Sequence, residues 1–130
     1  MPLSITYIEG GGIMVIGEGV VIGSEIKEIN DIIYESPEKI EKISYQLRDF
    51  TDVSDISISS AEIEGLAIQD KEAFEVNQNM LIALVAKEDL IFGLARMWEA
   101  YAYKPSFETM VFKKIDDAKH WIREKLQKKP

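Results

Sequence analysis

Cysteine is absent from this chain and histidine occurs only once, as His120. The first absence removes disulfides, thiolate catalysis and cysteine-ligated zinc together, and it fits any redox compartment. The second removes multi-histidine metal sites. His120 lies beside Trp121 with no serine, aspartate or cysteine set near it by sequence, and it reads as exposed helix surface. Positive charge is scarce as well: 15 Lys and Arg against 23 Asp and Glu leave a net charge of -8. Phosphate backbones are bound by Lys and Arg that displace counterions, so nucleic acid is not an expected partner, and anionic membrane surfaces are disfavoured on the same ground. Long apolar runs are missing. The longest lies within Met80–Ala86, far short of the about 20 residues that span a bilayer, so no membrane span is expected. The opening Met1-Pro2-Leu3-Ser4-Ile5-Thr6 has no basic region followed by an apolar stretch and a small-residue cleavage site. No secretory signal is read there, and the cytoplasm is the expected location.

What is present is the profile of a folded protein. Hydrophobic residues make up 46% and charged residues 29% of 130 positions, enough for one sizeable core and too few for two. No internal repeat or Pro-, Gly- or Ser-rich linker divides the chain, so residues 1–130 are read as a single domain with a frayed Lys128-Lys129-Pro130 tail.

Leu3–Glu9 and Ile13–Ile22 are rich in β-branched residues and flank Gly10-Gly11-Gly12, which predicts an antiparallel hairpin. Ser24 is placed to cap a helix carrying Ile26, Ile29 and Ile33 and ending near Ser36-Pro37. Ile43, Tyr45 and Leu47 alternate with Ser44, Gln46 and Arg48, the period of a strand with distinguishable faces, and the acidic stretch Asp49–Asp55 reads as the loop that ends it. Ser59 followed by Glu62 forms a capping box for a second helix with Ile63, Leu66, Ala67 and Phe74 on one side, running to about Val76. The apolar Met80–Ala86 suits a strand covered on both faces, at the sheet centre. Leu90, Ile91, Leu94, Met97, Trp98 and Tyr101 repeat at helical spacing, with Trp98 and Tyr101 expected in the core. Phe107–Phe112 gives a last strand, and Asp116 is placed to cap a last helix bearing Ala118, Trp121, Ile122 and Leu126. The expected fold class is α/β, a mixed, mainly parallel sheet with packed helices in the order ββαβαβαβα.

Few residues offer chemistry. The glycines at 10–12, 17, 19 and 23 lack the lysine and hydroxyl of a phosphate loop and do not lie between a strand and a helix as a dinucleotide fingerprint requires. Asp49, Asp52 and Asp55 lie three apart at the carboxyl edge of a strand, where open α/β sheets bind ligands, but they lack the alternate oxygen ligands and distal glutamate of a calcium loop. They are read, with Arg48, as a solvated loop open to a partner or ligand, and no metal or other cofactor is expected. Asp70 falls on the apolar stripe of the second helix, so its carboxylate either reaches water at the helix edge or bonds to a loop that shapes a site. Ser59 and Ser60 start the same helix, where a phosphate would meet free N–H groups and the helix dipole.

The element order, together with Leu47-Arg48-Asp49-Phe50, Ser59-Ser60, Ala83-Leu84-Val85-Ala86 and Phe92-Gly93-Leu94-Ala95-Arg96-Met97, resembles the SpoIIAA-like branch of the STAS fold over nearly the whole chain. The resemblance implies helices packed on a mixed sheet and kinship in shape with Sec14-type lipid-binding domains. Anti-sigma-factor antagonists of that family are phosphorylated on a serine at the start of the second helix, in a motif like Asp-Ser-Ser-Gly-Leu. This chain reads Ile58-Ser59-Ser60-Ala61 there, with Gly65-Leu66 only later, so the serines match and their flanks do not. The expected function is a non-enzymatic regulatory or protein-binding module, with Ser59 or Ser60 as its candidate phosphorylation site and self-association as a homodimer open. The alternative is a carrier or sensor of a small apolar or amphipathic ligand lined by Phe74, Leu94 and Trp98. An enzyme ranks last, for want of nucleophile, base and orienter in a recognised arrangement.

Overall fold

A computed structural model describes residues 2–128, so Met1 and the Lys129-Pro130 end of the expected tail lie outside the described residues. The chain opens with β1 (Leu3–Ile8) and β2 (Gly12–Ile22), then α1 (Gly23–Ile33), α2 (Pro37–Glu41), β3 (Tyr45–Ser57) and α3 (Ser60–Val76). It continues with β4 (Leu81–Val85), α4 (Asp89–Ala102), β5 (Glu108–Phe112) and α5 (Ile115–Gln127). The β1–β2 turn needs its glycines. Gly10 and Gly11 both hold φ near +90°, and a Cβ on Gly11 would come within 2.3 Å of the Lys42 carbonyl oxygen.

The sheet is mixed and mainly parallel, in the order β1-β2-β3-β4-β5, with β1 antiparallel to β2 and the remaining pairs parallel. Each new parallel strand is added on the same side of the last. Crossovers of one hand therefore carry α1, α3 and α4 to one face, called here the inner face. Their apolar stripes meet Ile13, Val15, Phe50, Val53, Ile82 and Leu84 there. Only α5, which has no following strand, lies on the outer face, where Ala118 and Ile122 pack on Leu47, Leu81, Ala83 and Val85.

Several expectations are corrected. The centre of the sheet is β3, while β4 sits between β3 and β5, although all five β4 residues are buried as expected. A short helix, α2, was not expected; Ser36 caps it by accepting from the Lys39 N–H at 3.3 Å, with Pro37 at its first position. Asp49–Asp55 is strand and not loop, because β3 runs on beside β2 as far as Ser57 and its polar residues take the solvent side of a ribbon. Helix α1 begins before Ser24, and Glu25 accepts the Ile22 N–H at 2.9 Å. The cap position of α5 is Lys114, two residues before Asp116, which falls in the first turn. Tyr101 is 40% exposed, at the edge of the α4 stripe that buries Trp98.

Candidate functional site

The period-two strand pattern places Gln46 and Arg48 on the same face of β3, and that face is the inner one. Both are buried, Arg48 at 4% exposure. A buried cation needs a partner, and Asp70 supplies it from α3. Arg48 Nη2 and Nη1 donate to Asp70 Oδ1 and Oδ2 at 3.0 and 3.3 Å, while its Nε and Nη2 donate to Gln46 Oε1 at 3.1 and 2.7 Å. Tyr34, the C-cap of α1, donates its hydroxyl to Asp70 Oδ1 at 2.7 Å and accepts from Gln46 Nε2 at 2.8 Å. Trp98 of α4 donates Nε1–H to Asp70 Oδ2 at 2.7 Å. One carboxylate thus ties three helices to the central strand.

Burial, followed by the adjacent Asp70 charge, pushes the Tyr34 hydroxyl well above its ordinary range. For Arg48 burial opposes the charged form, but the Asp70 carboxylate and the Tyr34 hydroxyl outweigh it and hold the guanidinium charged. Every oxygen of Asp70 is engaged, so the cluster offers no free base. Among the described residues no group of three His, Cys, Asp or Glu side chains could hold a metal ion.

Above the cluster lies an apolar cavity of about 50 Å³, walled by Phe50, Ile56, Ile63, Leu66, Leu94 and Trp98, with Arg48 its only charged lining residue. Arg has five N–H donors. At most four of them are drawn to Asp70, Gln46 and Tyr34, and Arg48 is the one cationic side chain in an otherwise apolar wall. Its volume suits a few waters and falls well below the about 300–1,000 Å³ of sites for drug-sized ligands.

Ile58 links this cavity to the start of α3. Ser59 accepts the Glu62 N–H at 3.1 Å and Glu62 Oε1 accepts the Ser59 N–H at 2.9 Å, the expected capping box. Ser60 follows in the first turn, exposed and with no side-chain hydrogen bond to another described residue.

The structure brings Arg48, Asp70, Leu94 and Trp98 together and sets the other candidates apart. Asp49, Asp52 and Asp55 register with Ile16, Glu18 and Val20, on the outer face away from Arg48. Phe74 is fully buried against Phe107, ring centroids 4.6 Å apart, and does not line the cavity. Sequence reasoning missed Tyr34 and Gln46. The available signal was a pair of polar residues on a strand that parallel neighbours and helices cover on both faces, with an aspartate on the facing apolar stripe.

No family model matches the sequence, and no curated protein matches it. Solved structures do. The anti-sigma factor antagonist SpoIIAA in its unphosphorylated form superposes with a TM-score of 0.62 at 10% identity, over 93% of this chain and 97% of that one. The Bacillus cell fate determinant SpoIIAA in its phosphorylated form does so with a TM-score of 0.61 at 12% identity, over 93% and 99%. This chain has the SpoIIAA-like STAS fold. At such identity the likeness reaches the path of the backbone, while side-chain roles have to come from the site itself. In this chain Ser59 and Ser60 stand at the head of α3, and Asp70, the partner of Arg48, lies further along the same helix. No helix among the described residues is long and apolar enough to cross a membrane.

Proposed function

We propose that this chain is a non-enzymatic, cytoplasmic, single-domain regulatory module that binds a protein partner through the head of α3 and the adjoining end of β3, with Ser60 as its switch. The observation that carries the reading is the division of labour between the two serines. The Ser59 hydroxyl is committed to the helix cap, whereas Ser60 is exposed and unengaged beside it. A phosphate on Ser60 would meet N–H groups of the first turn that have no partner within the helix, and it would add negative charge next to Glu62. That changes the surface a partner meets without disturbing the core below. The shared fold with SpoIIAA, solved in both unphosphorylated and phosphorylated forms, supports the same reading.

The test is the intact mass of tagged protein purified from its own source, as wild type, Ser60→Ala, Ser60→Asp and Ser59→Ala, together with the proteins that copurify. A covalent phosphate that Ser60→Ala abolishes, and a copurifying protein that Ser60→Asp releases, are the expected results. An unmodified mass with the same companions for all four forms would overturn the switch.

A second reading rests on the cavity. Its apolar wall with Arg48 as the one charged lining residue suits a small ligand with a hydrogen-bond acceptor, and an amphipathic one would have to part α3 from α4. Leu94 and Trp98, with Phe74 outside the lining, are the residues whose alteration would release it.

A further inference from the structure

Beyond Ile8 and Met14, which border α5, the outer face of β1 and β2 is left without a helix, because α5 packs mainly on β3, β4 and β5. The consequence is an apolar strip in which Ile8, Ile16, Val20 and Ile22 are 39%, 39%, 59% and 44% exposed. Alternation along β2, carried through its irregularities by the register with β3, puts these side chains on one face.

The two ends of the strip differ in charge. At one end a groove of about 310 Å³ has a floor that includes Ile8, Met14 and Leu126 and a rim with Lys119 and Arg123 of α5. At the other end Val20 and Ile22 stand among Glu18, Asp52 and Asp55. None of these five charged side chains forms an ion pair with another described residue, unlike Lys125, which holds Glu108 at 2.7 Å. They cannot compensate one another within the chain either. Met14 and Val20 are roughly 20 Å apart along a strand, against a screening length of about 8 Å at physiological salt.

An isologous dimer requires a patch that complements itself after a half-turn. A strip that is basic at one end and acidic at the other, with Ile16 beside the exposed Ser4 and Thr6 of β1 between them, meets that requirement. We infer that the outer face of β1 and β2 is a two-fold interface with a second copy of this chain. The axis passes near Ile16. Lys119 and Arg123 of each protomer face Asp52, Asp55 and Glu18 of its partner, and Val20 and Ile22 enter the partner's groove. The net charge of -8 on each copy opposes approach at low ionic strength, and the two matched charge clusters offset it at contact. This inference does not rest on the phosphoserine reading, which concerns the head of α3.

Sedimentation velocity over a concentration series tests it, with the full chain and two charge-reversed forms. One is Lys119→Glu with Arg123→Glu; the other is Asp52→Lys with Asp55→Lys. Wild type is expected to dimerise, and each reversed form alone to show a dissociation constant raised by about tenfold or more. An equimolar mixture of the two is expected to recover the dimer, since the acidic end made in one meets the basic end made in the other. Recovery in the mixture also shows that both forms are folded. A wild type that stays monomeric to about 1 mM, or a dimer that neither reversal weakens, would overturn the interface.

Discussion

Trp98 and Arg48 meet on one carboxylate: the indole N–H donates to Asp70 Oδ2 at 2.7 Å, and the guanidinium spans both oxygens, Oδ1 at 3.0 Å and Oδ2 at 3.3 Å. The Arg48 Cζ also lies 5.9 Å from the centre of the Trp98 ring, so α4, α3 and β3 are fastened through three groups in mutual contact. A charge pair in that position is costly to bury and costlier to break.

Asp70→Ala therefore leaves an uncompensated guanidinium in the core and is expected to lower stability by about 3–5 kcal/mol. Arg48→Met combined with Asp70→Leu removes both charges and should lose less than Asp70→Ala alone. Urea denaturation midpoints at constant slope give the comparison, and a double variant less stable than the single one would contradict it.

Alkaline pH probes Tyr34. Its hydroxyl is raised above the unfolded value of 10.0, so its contribution to stability is fully present below about pH 10 and is lost as pH climbs towards the higher folded value. In ultraviolet difference titration, wild type minus Tyr34→Phe should show no phenolate step until the chain unfolds. A step in the ordinary phenol range would mean that the hydroxyl is open to solvent.

The two serines should separate in stability as they do in geometry. Ser59→Ala loses the cap to the Glu62 N–H and is expected to cost about 1 kcal/mol. Ser60→Ala removes no hydrogen bond and should stay within about 0.5 kcal/mol of wild type. Thermal melts of both variants decide this, and equal losses would remove the distinction on which the switch rests.

The hairpin offers a paired control on backbone strain. Gly10→Ala meets open space and carries only the left-handed penalty of about 1–2 kcal/mol. Gly11→Ala carries the same penalty and also places its Cβ against the Lys42 carbonyl, so it should be the more damaging, by urea midpoint. The opposite order would show that the turn relaxes.

Local signals determined much of this protein. The β-branched runs around three glycines made the hairpin, the Ser59–Glu62 box set the head of α3, and the apolar Met80–Ala86 suited a covered strand. These depend on interactions within a few residues, which the sequence states directly. Tertiary structure decided the rest. Gln46 and Arg48 carry the polar half of an alternation that reads as solvent-facing, yet they point inward, because helices cover both faces of this half of β3 and Asp70 waits on the facing helix. Asp49–Asp55 has the composition of a loop and is strand, because β2 extends alongside it and supplies backbone partners that no local pattern records. Tyr34 joins the cluster from the end of α1, a position set by where a crossover lands, and where α5 lies decides which part of the outer sheet face remains open.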